Sequence, residues 1–178
     1  MLIAVVLGIV AVIGSLLPRD YDFETVAVIE ASPESVFEQV NTMNAWGDWS
    51  QWSPQQVEGL KVEYSGTAAG VGAAQAWTDP RGDGKLWIVE SVPNQTVAYK
   101  LEFAGFPEMA SSIKLSPVSG EGGNPDEEVQ TKVVWSSSGT LPGGPFYGFF
   151  SPFFATGMQH QYDASLVRLK ELVEKSHK

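Results

Sequence analysis

Cysteine is absent from this chain of 178 residues. Its absence excludes disulfide bonds, cysteine nucleophiles and thiolate metal sites, but it does not indicate a compartment. Basic residues are few and scattered: Lys and Arg number 11 against 21 Asp and Glu, and the formal net charge is −10. Because such a chain repels a phosphate backbone, we expect no nucleic-acid partner.

Histidine, the usual acid or base of enzymes that work near neutral pH, is also scarce. Of the two histidines, His177 lies in the C-terminal tail, and His160 follows Met158 by two residues. Two residues correspond to about 200° around a helix, so His160 should point away from the side on which Met158 lies. The sequence contains no Ser-His-Asp set, phosphate-binding loop or cluster of metal ligands. It therefore predicts no catalytic residue, no metal and no cofactor.

A long uncharged run is present at the N-terminus, where Leu2 to Leu17 has Ser15 as its one polar residue. As a helix, this run would span about 24 Å, slightly less than a hydrocarbon core of about 30 Å. Three interpretations are open: a membrane anchor over residues 1–18, a cleaved signal peptide, or a buried core helix or strand. The run lacks a positive n-region and a clear cleavage site. We therefore favour a single-pass N-terminal anchor, followed by one folded domain over residues 19–178.

The longest regular pattern is the last one, from Ser151 to Lys175. Ser151 is a good N-cap, and Pro152 suits the first helical position, where a missing N–H costs nothing. Residues of the less polar face then recur at helical spacing, at Phe154, Met158, Gln161, Tyr162, Ser165, Leu166, Leu169, Leu172 and Val173. An amphipathic helix of this length needs a large apolar surface against which to pack.

Seven segments before this helix have the alternating, β-branched and aromatic composition of strands. They are Tyr21 to Glu30, Leu60 to Ser65, Val71 to Thr78, Lys85 to Val92, Thr96 to Phe103, Ser111 to Val118 and Val129 to Ser137. A short helix starts after the first strand, with Ser32 as cap and Pro33 in first position, and a second short helical turn is expected around Trp46 to Trp52. The sequence therefore predicts an α+β fold in which a curved antiparallel sheet wraps around the long C-terminal helix, with room for a ligand between them.

Two aromatic clusters each allow two interpretations. Trp46, Trp49 and Trp52 either close one end of the core, or one of their indoles lines a ligand cavity and donates its N–H. Gly139 to Gly148 should be an irregular link because it is rich in glycine and proline. The phenylalanines that follow it, within Phe149 to Phe154, either pack under the helix or form an apolar gate able to touch lipid.

Several local sequences, in this order of elements, match those of a known superfamily. They are Ile29 to Phe37, Trp46 to Ser50 with Ser53-Pro54, Gly70 to Gly72, Trp77, Gly84-Lys85 and Ile88 to Pro93. Over Tyr21 to Val173 the chain resembles the START-like superfamily, also called SRPBCC, which has the helix-grip fold, and within it the polyketide cyclase/dehydrase and lipid-transport-like subgroup. Many bacterial members also carry a hydrophobic segment before the first strand. These motifs are specific for the fold and poorly specific for function.

The resemblance implies a cavity between the concave face of the sheet and the last helix, which family members use for lipids, sterols, polyketides and other apolar molecules. By strand parity and helix spacing, the residues expected to line it are Trp77, Tyr99, Leu101, Ile113, Leu115, Trp135, Met158, Gln161, Tyr162 and Ser165. We expect a membrane-tethered carrier or sensor of an apolar molecule, without catalysis. The alternatives are a cyclase or dehydratase acting on a polyketide-like or aromatic substrate, and an interaction module with a filled core.

Overall fold

The structure is a computed structural model that describes residues 2–79, 82–103, 105–118, 129–144 and 146–176. In chain order its elements are α1 (Leu2–Leu16), β1 (Asp20–Ile29), α2 (Pro33–Asn41), a 3₁₀ turn (Met43–Ala45), α3 (Trp46–Trp49), β2 (Lys61–Ser65), β3 (Ala74–Thr78), β4 (Gly84–Val92), β5 (Thr96–Phe103), β6 (Met109–Val118), β7 (Gln130–Thr140) and α4 (Tyr147–Ser176). The strands form one antiparallel sheet in the order β1-β7-β6-β5-β4-β3-β2. The predicted helix-grip fold, with a curved sheet, a long C-terminal helix and two short helices after the first strand, is confirmed.

Alternation along the strands decides which face of the sheet is buried. In β5, Tyr99 and Leu101 are buried, and Glu102, which points to the opposite face, is exposed, as the period of two requires. The helix α4 lies against the buried face and contributes side chains at helical spacing. Its buried side chains include Met158, Tyr162, Ser165, Leu166, Leu169 and Val173. Six of the nine residues predicted for the less polar face are therefore buried, Phe154 and Leu172 are partly buried, and Gln161 is exposed.

The free edge of β1 is covered by polar side chains of α4. Three of them donate hydrogen bonds to β1 carbonyls: Ser151 Oγ to Asp20 O at 2.9 Å, Gln159 Nε2 to Glu24 O at 3.1 Å, and Lys170 Nζ to Val28 O at 2.7 Å. These bonds occur at intervals along the strand. They fasten α4 along the sheet edge and occupy carbonyls that would otherwise be open to a further strand.

The start of α4 differs from the prediction. The helix begins at Tyr147, four residues before Ser151, and Pro152 lies inside it. The Ser151 hydroxyl donates its hydrogen bond to the Asp20 carbonyl, and Ser151 does not serve as the N-cap. A Cβ on Gly148 would lie 2.6 Å from Leu17 Cβ and 2.8 Å from Gly14 O, so this glycine allows the end of α1 to pack against the first turn of α4.

The predicted irregular link over 139–148 is wrong at both ends. At its start, β7 continues to Thr140 because it stays paired with β1, where Asp20 lies opposite Thr140 and Tyr21 opposite Gly139. A Cβ on Gly139 would lie 2.3 Å from the Tyr21 hydroxyl oxygen, so glycine is required there by the tyrosine packed over it. At its end, α4 has already begun. Tertiary pairing thus overrides the local preference of glycine for loops.

The third strand is also shorter than predicted. The segment expected to run from Val71 to Thr78 becomes a strand only at Ala74. Gly70 and Gly72 have φ of 72° and 89°, which lie in the left-handed region and cannot continue a strand. The sequence Gly70 to Gly72 is therefore a turn.

The helix α1 is apolar and exposed. Gly14 is its one buried residue. Its large side chains between 47 and 80% exposed are Leu2, Ile3, Val5, Val6, Leu7, Ile9, Val12, Ile13 and Leu16. In the part of the chain that the structure describes, no helix has both the length and the apolar character of a membrane-crossing segment.

Candidate functional site

Aromatic side chains fill the middle of the space between the sheet and α4. The rings of Tyr162 on α4 and Trp135 on β7 stack with their centroids 4.0 Å apart. Trp46 and Trp49, from α3, meet Trp135 edge-on at 6.0 and 5.6 Å. These four side chains and Tyr99 are at most 1% exposed. The centre of the interior is therefore packed protein, and Trp46 and Trp49 are part of it.

A chain of hydrogen bonds satisfies the polar atoms of this aromatic centre. Trp135 Nε1 donates to the Tyr99 hydroxyl at 2.8 Å, and the hydroxyls of Tyr99 and Tyr162 lie 3.1 Å apart. Ser111 Oγ lies 3.2 Å from the Tyr162 hydroxyl and donates to Ser137 Oγ at 2.8 Å. Burial raises the pKa of Tyr99 well above its usual value and also raises the pKa of Tyr162. Both tyrosines are therefore held as neutral core residues.

These raised tyrosine pKa values predict a loss of stability in alkali. Below about pH 10 both tyrosines are protonated in the folded and unfolded states, so they cause no pH dependence. Above pH 10 the unfolded state ionises while the folded state stays neutral, and the free energy of unfolding falls. Between pH 10 and 11 we expect these two groups to lower the free energy of unfolding by about 1 kcal/mol each. Burial also raises the pKa of Tyr21 and of Tyr64, so the whole protein loses more than these two groups contribute.

Urea unfolding at pH 9, 10 and 11 measures this loss. The Tyr99→Phe variant is the control, since it keeps the ring but removes one ionising group, and its loss between pH 10 and 11 should be smaller than that of the wild type by about 1 kcal/mol. Equal pH dependence in the wild type and in the variant would show that Tyr99 is not the group responsible.

A cavity of about 450 Å³ remains at one end of the interior, beside this aromatic centre. We call it the α4 cavity. Its described lining residues are Gln51, Trp52, Val57, Leu60, Trp77, Asp79, Gly82, Phe103, Phe106, Phe153, Phe154, Gly157, Met158 and Gln161. They come from the loop after α3, the ends of β3 and β5, and the first half of α4. Small-molecule sites have volumes of about 300 to 1,000 Å³, so the α4 cavity is large enough for a ligand.

Aromatic rings form most of the apolar wall of the α4 cavity. Trp77 and Phe103 meet edge-on with centroids 5.5 Å apart, and Phe106 stacks on Phe154 at 5.7 Å. Phe153 is 76% exposed and stands at the mouth, where the cavity meets solvent. A rigid aromatic wall that is already assembled binds apolar molecules with little ordering of side chains on binding.

The ten predicted lining residues are divided between the cavity and the core. Three of them, Trp77, Met158 and Gln161, lie on the wall of the α4 cavity. The other seven are buried and do not line it: Tyr99, Leu101, Ile113, Leu115, Trp135, Tyr162 and Ser165. Strand parity selected inward-facing positions, but at the centre of the sheet the inward-facing side chains fill the space themselves. Ligand contact at these ten positions stays a prediction.

Ser165 has a structural contact that the sequence did not indicate. Its hydroxyl accepts a hydrogen bond from the Gln51 backbone N–H at 3.0 Å and donates to Gln161 O at 2.8 Å. The loop after α3 is thereby attached to α4. This attachment places Gln51 and Trp52 at the cavity, and Trp52 is edge-on to Tyr162 at 5.6 Å, between the cavity and the filled centre.

Several cavity residues were not predicted, and most of them lie in loops. Asp79 follows β3, and its carbonyl accepts from the Gly82 N–H at 2.9 Å in a turn. Phe106 lies in the turn between β5 and β6. Loop residues have no period from which their direction can be read, so no pattern identified these two. Phe153 and Phe154 did carry a signal, because they belong to the phenylalanine cluster proposed as a gate.

The expected position of His160 is confirmed, since it is exposed on α4 while Met158 is buried. His177 lies outside the described residues. Within the described ranges, no group of three or more His, Cys, Asp or Glu side chains is arranged to hold a metal ion.

A curved antiparallel sheet that grips a C-terminal helix, with a cavity between them, defines an SRPBCC-type protein of the helix-grip fold. A family model described as polyketide cyclase/dehydrase and lipid transport matches residues 21–174, and the chain belongs to this family. No curated protein matches the sequence significantly.

Solved structures of low sequence identity share the fold. Protein CV1439 from Chromobacterium violaceum is 21% identical, with a TM-score of 0.58 over 86% of this chain and 96% of that protein. Norcoclaurine synthase from Thalictrum flavum, solved with a transition-state analogue, is 13% identical, with a TM-score of 0.62 over 90% and 98%. The Aha1 dimer from Colwellia psychrerythraea is 20% identical, with a TM-score of 0.53 over 86% and 96%. At these identities the likeness concerns the fold alone.

Proposed function

We propose that the protein binds an apolar small molecule, lipid-like or polyketide-like, in the α4 cavity and acts as a carrier or sensor without catalysis. The observation that carries this proposal is the cavity itself, an aromatic-walled space of about 450 Å³ in an otherwise close-packed interior. A ligand that moves from water onto this wall buries apolar surface, which is favourable by about 25 cal/mol per Å². The polyketide cyclase/dehydrase and lipid transport family is consistent with such a ligand.

The absence of catalysis is part of the proposal because of where the tyrosines lie. A cyclase or dehydratase needs an acid or base beside its substrate. The hydroxyls of Tyr99 and Tyr162 are hydrogen-bonded to one another in the filled centre, and neither residue lines the α4 cavity. Asp79 is the one acidic residue among the described lining residues, so it would be the acid or base if the alternative function, a cyclase or dehydratase, applied.

Two measurements on the full-length protein test ligand binding. Native mass spectrometry after purification in mild detergent should detect an apolar molecule bound one to one. After that molecule is removed, titration with the neutral fluorophore N-phenyl-1-naphthylamine should saturate at one site, with a dissociation constant of about 10 µM or lower. A protein that carries no ligand and gives no saturable signal would have no carrier role, and the interaction module with no ligand would then be favoured.

We also propose that α1 holds the protein at a membrane as an N-terminal anchor. Its support is the exposed apolar surface of α1, whose large side chains are between 47 and 80% exposed. Surfaces of this kind are unfavourable in water and favourable in lipid. Phe149, Phe150 and Phe153 are also exposed, and they follow Gly148, at which α1 contacts α4. The mouth of the α4 cavity would then face the same membrane.

A charge in α1 should release the protein from the membrane. Val12 is 62% exposed, and a carboxylate in its place costs about 2.5 to 3.5 kcal/mol at the centre of a bilayer and less near the interface. We expect Val12→Glu to raise the ratio of soluble to membrane-bound protein at least tenfold in fractionated host cells. Val26→Glu is the matched control, because Val26 is 50% exposed on β1, and it should leave the ratio unchanged. If Val12→Glu stays with the membranes, α1 is not the anchor.

A further inference from the structure

One polar residue of the α4 cavity wall is held in place on both sides of its side chain. Gln51 lines the cavity and is half-buried. Its backbone N–H donates to Ser165 Oγ at 3.0 Å, and the N–H of the next residue, Trp52, donates to Ser50 Oγ at 3.1 Å. Both peptide groups that flank the Gln51 side chain are therefore hydrogen-bonded, so this side chain leaves the backbone from a fixed point on the wall.

Arg168 of α4 fixes the orientation of the amide group at the end of this side chain. Its Nη1 and Nη2 atoms lie 2.9 and 3.2 Å from one terminal atom of the Gln51 amide. A guanidinium only donates hydrogen bonds, so that atom is the oxygen Oε1 and the other is the nitrogen Nε2. In the part of the chain that the structure describes, no acceptor is hydrogen-bonded to Nε2. Its two N–H donors therefore remain for a molecule in the α4 cavity.

The wall contains further hydrogen-bond donors that the protein does not use. Trp52 and Trp77 both line the cavity, and an indole N–H only donates. Within the described ranges neither of these N–H groups has an acceptor, whereas those of Trp46, Trp49 and Trp135 in the filled centre are all hydrogen-bonded. A molecule whose polar group accepts hydrogen bonds therefore finds unused partners on this wall.

Two other polar side chains belong to the described wall. Gln161 is exposed, and its amide makes no hydrogen bond to a described residue, so it can turn either its donor or its acceptor end towards a ligand. Asp79 already makes a contact within the protein. The fixed amide of Gln51 is therefore the group on this wall best placed to distinguish one kind of ligand from another.

We propose that Gln51 is the polar anchor of the α4 cavity and that it selects apolar ligands that carry a carbonyl oxygen, such as ketones and esters, over ligands of the same shape that lack an acceptor. This proposal rests on the proposed function, since it names the class of molecule that the same cavity takes. The carbonyl oxygen accepts from Gln51 Nε2, and the apolar part of the ligand packs against the aromatic wall. Arg168 is a positioning residue, because it holds Oε1 and polarises the N–H donors on the other end of the amide. A ligand without an acceptor leaves these donors unpaired, which is unfavourable in a poorly hydrated site.

The test compares two ligands of the same shape on the full-length protein. 2-Acetylnaphthalene has a carbonyl oxygen where 2-isopropenylnaphthalene has a CH₂ group, and each is titrated at pH 7 by displacement of N-phenyl-1-naphthylamine from the wild type and from Gln51→Glu. Glutamate keeps the length of the side chain and the contact with Arg168, but its carboxylate has no donor. We expect Gln51→Glu to weaken the binding of 2-acetylnaphthalene about tenfold and to change that of 2-isopropenylnaphthalene by no more than about twofold.

Three further variants locate the selectivity. Gln55→Glu is the matched control, because it makes the same change at an exposed residue of the same loop that does not line the cavity, and it should leave both affinities unchanged. Arg168→Met releases the Gln51 amide, so 2-acetylnaphthalene should bind about threefold more weakly and 2-isopropenylnaphthalene as before. Gln51→Met removes the donor without adding a charge and should weaken 2-acetylnaphthalene alone, about fivefold.

The outcomes separate the anchor from the cavity. Binding of 2-isopropenylnaphthalene reports the integrity of the cavity in every variant, and Gln51→Met decides the result if Gln51→Glu does not fold. If 2-acetylnaphthalene is weakened no more than 2-isopropenylnaphthalene in the Gln51 variants, the anchor role of Gln51 is overturned and the apolar cavity is left intact. If neither ligand displaces the probe from the wild type, the proposed function fails as well.

Discussion

Replacing Trp135 with alanine should lower the free energy of unfolding by about 3 to 5 kcal/mol. Trp135 is 0% exposed, and its ring is stacked on Tyr162 and contacted edge-on by Trp46 and Trp49. Its removal leaves a space that rigid neighbouring rings cannot fill. The indole N–H also donates to the Tyr99 hydroxyl, so the variant removes a donor from a buried oxygen. Urea unfolding at pH 7 measures the effect.

Trp87 offers the matched control for this experiment. It lies on β4, is only partly buried, and its ring is contacted by the Lys85 ammonium 5.1 Å from the centroid. The Trp87→Ala variant should lose about 1 kcal/mol or less. A small loss at Trp135, equal to that at Trp87, would mean that the centre of the interior is open rather than packed, and Trp135 would then be a candidate ligand contact as the sequence predicted.

Filling the α4 cavity from Gly157 should weaken ligand binding about 50- to 100-fold. Gly157 lines the cavity, and a Cβ at this position would meet no atom within 4 Å, so a side chain there extends into open space. In Gly157→Phe, the new ring occupies the place of the ligand. If about 100 Å² of apolar ligand contact is lost, the cost is about 2.5 kcal/mol. Titration with N-phenyl-1-naphthylamine measures this loss.

The stability of Gly157→Phe separates a filled cavity from a damaged fold. Glycine inside a helix is less favourable than other residues by some tenths of a kcal/mol, so the unfolding midpoint should not decrease. Thr156→Phe is the control: it adds the same ring one position earlier, about 100° around α4, at an exposed residue that does not line the cavity. Loss of probe affinity in both variants, or in neither, would contradict binding in the α4 cavity.

The Trp135→Ala experiment tests the filled centre of the interior, and the Gly157→Phe experiment tests the α4 cavity beside it. Trp52 lies between them, since it lines the cavity and is edge-on to Tyr162 of the filled centre. On one side the side chains from α3, β7 and α4 are packed as in any protein core. On the other side α4 carries Gly157, which lines the cavity, and an open space remains. The division of the interior thus depends on residue size at a few positions.

The sequence alone determined the class of fold. Periods of two in the strands and of 3.6 in α4 indicated which side chains face inward, and these periods depend only on local backbone geometry. Leu101 and Leu169 are buried as that reasoning expects, and His160 is exposed. The family resemblance placed these elements in a helix-grip arrangement, which the sheet order confirms.

The tertiary structure decided where the empty space lies. Inward-facing position does not distinguish Tyr99, which is buried in the centre, from Trp77, which lines the cavity, because the difference depends on which rings meet across the sheet. Asp79 and Phe106 reach the cavity from loops, whose direction is set by the strands and turns that hold them. The start of α4 and the end of β7 were likewise fixed by contacts with β1 and α1 rather than by local propensity. Periodicity is a property of neighbours along the chain, whereas a cavity depends on volumes brought together from distant segments.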